Sequence, residues 1–210
     1  MKRILIVDDH EVVRDGVKRI FEEQAETTAF GDASTASEAL HLISEHDWDI
    51  VVLDLSLGGR SGLDLLKELK QVRPRTPVLI LSMHSEEQYA RRAFKAGAAG
   101  YITKDSSQAE LSKAIEKVIK GGKYVTPILA ERLVTHLAKG TDTAPHDTLS
   151  DREFQVMRMI ASGKTVSEIA QLIHLSDKTI STHRARILEK MGMKTNAELT
   201  RYAIHNRLVD

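Results

Sequence analysis

Residues Ile4-Leu5-Ile6-Val7-Asp8-Asp9 form an apolar run that stops at two adjacent carboxylates. The arrangement recurs along the chain. Ile50-Val51-Val52-Leu53 stops at Asp54, Val78-Leu79-Ile80-Leu81 at Ser82, and Gly100-Tyr101-Ile102-Thr103 at Lys104. Continuous rather than alternating apolar runs belong to strands covered on both faces, and hence to a parallel sheet between helices. Between the runs, Val13, Val17, Ile20 and Phe21 recur at helical spacing, as do Leu63, Leu66 and Leu69. Tyr89, Ala93 and Phe94 mark a further helix, and Leu111, Ile115, Val118 and Ile119 the one after it. A weaker strand is expected near Thr27 to Phe30, with its helix from about Thr35 to Ser44. The first part of the chain therefore reads as α/β: five parallel strands alternating with five helices in a doubly wound sheet.

The pattern becomes all helical after Gly121-Gly122. Pro127 suits a first helical position, so residues 128–138 read as a connecting helix. Residues 139–147 contain Gly140, Thr141, Asp142, Thr143 and Pro145, a linker composition. Four helices are expected beyond it: Asp151–Ala161, 166–173, Asp177–Met191 and Asn196–His205. Ser107 with Glu110, Ser150 with Glu153, Thr165 with Glu168, and Thr195 with Glu198 have the spacing of a capping box. Gly163 and Gly192 sit where helix ends need a left-handed residue. The domains are thus 1–122, a connecting helix and linker over 123–147, and an all-α domain over 148–210.

The 210 residues include no cysteine, which excludes disulfide staples and thiolate metal sites and fits a cytoplasmic protein. The first apolar run has four residues, far too few for a membrane span or signal peptide, so no membrane partner is expected. Thirty Lys and Arg balance thirty Asp and Glu. From Thr148 to Asp210 there are ten basic and seven acidic residues, leaving twenty and twenty-three before that point. The tail is mildly basic and the front mildly acidic, a small bias toward a nucleic-acid partner for the tail.

Polar residues that end parallel strands converge on the carboxyl edge of the sheet, where such sheets place ligands. Asp8, Asp9, Asp54, Ser82 and Lys104 then share one crevice. Three crowded carboxylates repel and favour a divalent cation; Mg²⁺ prefers such oxygen ligands. A carboxylate can attack a phosphoryl group to give an acyl phosphate, while a cation and a lysine neutralise the transferring charge. A serine hydroxyl at Ser82 can bond the phosphoryl oxygen.

Val7-Asp8-Asp9-His10, Leu53-Asp54-Leu55, Leu81-Ser82-Met83 and Gly100-Tyr101-Ile102-Thr103-Lys104-Asp105 resemble the motifs of a response-regulator receiver domain, which has a flavodoxin-like fold. The resemblance implies that Asp54 is the phosphoacceptor and that Lys104 contacts the phosphoryl group. It implies Mg²⁺ held by Asp9, Asp54 and the backbone carbonyl of Ser56, with Asp8 acting through water. Ser82 and Tyr101 fall at switch positions, and a sensor histidine kinase is the implied donor. Many receivers carry proline soon after the acceptor, where this chain has Leu57-Gly58-Gly59, and proline after the final lysine, where it has Asp105.

In the tail, a short helix, the turn His174-Leu175-Ser176 and a basic helix follow one another. A basic second helix suits the DNA major groove, although such faces also serve as solvated surfaces or bind protein. Leu149-Ser150-Asp151-Arg152-Glu153, Thr179-Ile180-Ser181-Thr182-His183 and Leu188-Glu189-Lys190-Met191-Gly192 resemble the LuxR-type helix-turn-helix of NarL/FixJ regulators. That resemblance implies double-stranded DNA as partner, contacted by Lys178, Thr179, Ser181, Thr182, Arg184, Ala185 and Arg186. Ser181, Thr182 and Ala185 fall at base-facing positions, with lysine in many relatives where this chain has Ser181. Arg184, Arg186 and Lys178 are placed toward phosphates. It further implies a homodimer when phosphorylated, with RNA polymerase as a further partner, and no enzyme beyond self-phosphorylation and dephosphorylation. The competing reading is a phosphatase or phosphotransferase with an aspartate nucleophile. Against it, Asp8-Asp9 are adjacent and lack the D-x-D spacing of haloacid-dehalogenase-type phosphatases.

Overall fold

The computed structural model describes residues 2–22, 28–57, 60–83, 86–131, 144–206 and 208–209. The chain divides into two compact units, residues 1–133 and 134–210.

The first unit is a five-stranded sheet in the order β2-β1-β3-β6-β7, every pairing parallel. Its strands are β1 (Lys2–Val7), β2 (Thr28–Ala33), β3 (Ile50–Leu53), β6 (Val78–Ser82) and β7 (Gly100–Thr103). Between them lie α1 (Glu11–Glu22), α2 (Ala36–Glu45), α3 (Gly62–Val72) and α4 (Glu86–Lys95), and α5 (Gln108–Ile119) follows β7. A two-stranded hairpin, β4 (Ser56–Leu57) with β5 (Arg60–Ser61), interrupts the step from β3 to α3 and was not signalled by the sequence. Gly58 and Gly59, which follow Leu57 in the sequence, lie outside the described residues.

The continuous apolar runs have the predicted consequence. Ile4 to Val7, Ile50 to Leu53 and Val78 to Leu81 are all buried, because helices cover both faces. On one face Ile4, Ile6, Val52, Leu79, Leu81 and Ile102 meet Val17, Phe21, Leu111, Ile115 and Val118 from α1 and α5. Strand β2 extends to Ala33, past the expected end at Phe30, and is half-buried along most of its length.

The first unit continues past residue 122. Tyr124 joins this same core, and its backbone bridges β7. Its amide donates to the Ala99 carbonyl at 2.9 Å, and its carbonyl accepts from the Tyr101 amide at 3.3 Å. The Tyr124 hydroxyl donates to Glu110 at 3.0 Å. Glu110 is therefore turned away from a reciprocal capping box with Ser107, which keeps only its own bond from the Glu110 amide. Residues 127–131 are helical as expected; the rest of the connecting helix falls on residues 132–138, outside the described set.

The second unit contains a 3-10 turn (Pro145–Thr148) and α6 (Asp151–Ala161), α7 (Val166–Leu172), α8 (Asp177–Met191) and α9 (Asn196–His205). Capping boxes close the starts of α6 and α7, at Ser150 with Glu153 and Thr165 with Glu168. At α9 the Thr195 hydroxyl caps the Glu198 amide, but the Glu198 carboxylate reaches the Lys194 amide instead of completing a box. Gly163 and Gly192 have positive φ, 85° and 65°. The α7–α8 turn needs a left-handed residue too, and His174 supplies it at φ 51°. Arg152 ties the turn to α6 by donating to the Ile173 carbonyl at 3.1 Å.

Candidate functional site

The rim predicted from the sequence exists. Backbone hydrogen bonds carry the sheet register one residue beyond the strands. The Asp54 amide donates to the Val7 carbonyl (2.9 Å), the Asp8 amide to Ala33 (3.1 Å) and the Lys104 amide to Ser82 (2.9 Å). Parallel alignment therefore places Asp8, Asp54, Ser82 and Lys104 at one carboxyl edge.

Lys104 Nζ stands 2.6 Å from Asp8 Oδ2 and 2.8 Å from Asp54 Oδ2. Both carboxylates are almost wholly buried, with side chains 3% and 1% exposed, whereas Asp9 is 33% exposed at the mouth. Burial pushes the Asp54 carboxyl above its ordinary range; the Lys104 ammonium opposes this and the Asp8 charge adds to it. For Lys104 burial alone favours the neutral amine, but the hydrogen bonds it donates to Asp54 and Asp8 outweigh this and raise its pKa.

Sequence reasoning gave no role to His10, yet it sits at the mouth. Its Nδ1 lies 2.7 Å from Asp9 Oδ1 and 3.2 Å from Asp8 Oδ1, and its amide donates to Asp8 Oδ1 at 2.9 Å. Arg14 donates to the Asp8 carbonyl at 2.8 Å. Neither lies in an apolar run, so periodicity could not find them. Gly62 was missed for the same reason. Its amide donates to the Leu55 carbonyl at 3.0 Å, and a Cβ there would stand 2.4 Å from the Asp54 carbonyl oxygen. Only glycine lets α3 start this close to the Asp54 backbone.

Ser82 ends β6 and is fully buried; Tyr101, on β7, is likewise entirely inside. Ser56 opens the hairpin two residues after Asp54. Asp8, Asp9, His10 and Asp54 each bring one ligand atom within 4.8 Å of the others. The three carboxylates among them are hard oxygen donors of the kind that fit a small divalent cation. Asp54 Oδ1 is buried and has no partner of good geometry.

In the second unit, Ile180, Ile187 and Met191 bury one stripe of α8. Lys178, Ser181, Thr182, Ala185 and Arg186 are exposed. Thr179 and Arg184 are half-buried and locally engaged. The Thr179 hydroxyl pairs with the capping Ser176 hydroxyl at 2.8 Å, and Arg184 Nε donates to Asn196 Oδ1 at 2.7 Å. His183 is half-buried, and burial lowers its pKa.

Residues 4–116 match the response regulator receiver domain, and residues 147–203 match the bacterial regulatory proteins of the luxR family. The chain belongs to the response regulators. The regulator is similar along its whole length to response regulator UvrY of Escherichia coli, 32% identical over 99% of this chain and 96% of that protein. It is 34% identical to response regulator GacA of Pseudomonas protegens, over 100% of this chain and 99% of that one. Among solved structures it resembles RcsB of Salmonella enterica serovar Typhimurium, bound to promoter rprA in the presence of the phosphomimetic BeF3−. That match has a TM-score of 0.63 and 25% identity, over 96% of this chain and 98% of that one. A LuxR-family two-component response regulator from Aurantimonas sp. matches with TM-score 0.59 and 38% identity, over 65% of this chain and 97% of that chain. The regulator thus joins a receiver domain to a LuxR-type helix-turn-helix domain, and is a transcription regulator rather than a metabolic enzyme. No helix of its described residues is long and apolar enough to cross a membrane.

Proposed function

We propose that Asp54 takes a phosphoryl group from a partner histidine kinase and that the acyl phosphate controls DNA binding by the second domain. The observation carrying this reading is the asymmetry of the Asp54 carboxylate. Lys104 holds Oδ2 and the Ser56 backbone adds a hydrogen bond to the carboxylate, while the buried Oδ1 has no partner of good geometry. Oδ1 is then the attacking atom: an O–P bond forms as the donor's N–P bond breaks, and the freed imidazole takes up a proton. Lys104 stays beside the new acyl phosphate and offsets its charge. Hydrolysis by water at the same phosphorus returns the carboxylate, so the receiver limits its own signal.

Asp9, Asp54 and the Ser56 carbonyl would hold Mg²⁺, with Asp8 behind them; when bound, the ion supplies positive charge to the transferring oxygens. Ser82 at the rim and Tyr101 on the neighbouring strand respond to the phosphoryl group, shifting a two-state equilibrium toward a homodimer. Two linked half-site contacts then bind double-stranded DNA more strongly than one. Lys178 and Arg186 face outward for phosphates, and RNA polymerase recruitment in the cytoplasm would follow. The receiver and DNA-binding boundaries proposed are 1–122 and 148–210, joined by 123–147, of which Tyr124 packs on the receiver core.

The test is phosphate incorporation from a small-molecule phosphodonor with Mg²⁺, comparing the wild type with Asp54→Asn. The wild type should incorporate one phosphoryl group and the variant none. Undiminished labelling of the variant would overturn the assignment of the acceptor.

A further inference from the structure

The outward face of α8 has a limited hydrogen-bonding vocabulary. Successive residues turn by about 100° around a helix. Opposite the buried stripe of Ile180, Ile187 and Met191 therefore stand Lys178, Thr182, Ala185 and Glu189, all exposed. Thr182 Oγ1 donates its proton to the Lys178 carbonyl at 2.9 Å. With that proton used inside the helix, Thr182 offers the groove lone pairs and a methyl group. Ala185, one turn onward, offers a methyl group alone. Arg184, whose fork could read guanine, is turned toward α9 by its bond to Asn196.

Resting on the DNA-binding reading above, we infer that Thr182 selects its base as an acceptor, pairing with an exocyclic amino group, and that Ala185 meets a thymine methyl nearby. In the major groove the amino donors are adenine N6 and cytosine N4. Guanine O6 and N7, or thymine O4, would set lone pair against lone pair at Thr182. Neither Thr182 nor Ala185 can make the bidentate bonds by which arginine or lysine reads guanine. The half-site should therefore show adenine or cytosine at one position and thymine at a neighbouring one.

The experiment is selection of random-sequence duplexes by the phosphodonor-treated full chain, with Thr182→Val and Thr182→Ser in parallel. Valine keeps the shape and the methyl group but puts a second methyl where the acceptor was; serine keeps the acceptor. Circular dichroism melting confirms that each variant folds. The wild type and Thr182→Ser should prefer adenine or cytosine at one position by about fivefold, the discrimination of a single neutral hydrogen bond. Thr182→Val should lose that preference while keeping the rest of the motif. Retention of the preference by Thr182→Val, or guanine selected there by the wild type, would overturn the inference and leave DNA binding intact. No enrichment of any duplex by the wild type would overturn the DNA-binding reading itself, and this inference with it.

Discussion

Lys104 Nζ lies 2.8 Å from Asp54 Oδ2, and neither side chain is more than 8% exposed. The same ammonium is 2.6 Å from Asp8. One cation thus serves two buried anions. Replacing it by methionine should leave both carboxylates uncompensated and destabilise the first domain by about 3 kcal/mol in EDTA. Asp54→Asn acts the other way, because it removes a charge that burial opposes. Thermal unfolding in EDTA should show a lower Tm for Lys104→Met and a Tm at or above that of the wild type for Asp54→Asn. Equal melting of all three proteins would mean that the cluster carries no electrostatic strain.

Gly62→Ala tests the packing behind the acceptor. The added methyl would meet the Asp54 carbonyl oxygen at 2.4 Å and Leu55 Cα at 2.5 Å, both backbone atoms. Neither can rotate aside, so the loop must shift. We expect a loss of about 2 kcal/mol, in the range of core overpacking. Phosphate incorporation at Asp54 should slow as well. Urea unfolding and a labelling time course measure the two effects; wild-type values in both would show that the loop gives way freely.

Glu153 is a buried carboxylate in the second domain. Burial pushes its pKa up, but Lys190 at 2.6 Å and the Ser150 amide and hydroxyl overcome that and leave it below the ordinary 4.5. A depressed carboxylate pKa gives stability that is present above the unfolded value and lost as pH falls through the folded one. Protection factors of α6 amides, corrected for the intrinsic exchange rate at each pH, should be high at neutral pH and fall below about pH 4.5. Glu153→Gln should cost about 1–2 kcal/mol at pH 7, through the lost charged bonds, and converge on the wild type in acid. A constant gap across the pH range would exclude Glu153 as the titrating group.

Arg186 is exposed on α8, one turn beyond Thr182 on the flank of the outward face. Arg186→Ala should weaken binding to every duplex by a similar factor. It should also reduce the slope of log affinity against log salt by about 1, since one phosphate contact and its released counterion are lost. Titrations on fixed duplexes at several salt concentrations measure this. A change in preferred sequence with an unchanged slope would assign Arg186 to base reading instead.

Asp8, Asp54, Ser82 and Lys104 were legible because each interrupts an apolar run, and parallel pairing makes four distant interruptions into neighbours. The edge strand β2 was less so. Gly31 and Asp32 dilute its apolar signal, and only Ala33 of its six residues is buried. The β4–β5 hairpin is two residues per strand, too short for any period to register. His10, Arg14 and Gly62 act through single local contacts with no repeating pattern. The S/T-x-x-E spacing placed the starts of α6, α7 and α9, with Ser176 marking that of α8, but spacing alone could not tell which glutamates close the box, there or at α5 of the first domain. Glu110 prefers the Tyr124 hydroxyl and Glu198 the Lys194 amide. Likewise, the α8 sequence shows its basic residues but not that Arg184 is held by Asn196.

Strand β7 forms one edge of the sheet, opposite β2, and the backbone of Tyr124 lies along its otherwise open side. Unpaired strand margins invite self-association. Cutting the chain at residue 122 would strip that cover, bare the β7 margin and free Glu110. A receiver fragment meant to stay monomeric in solution must therefore keep Tyr124, however naturally Gly121-Gly122 reads as the place to stop.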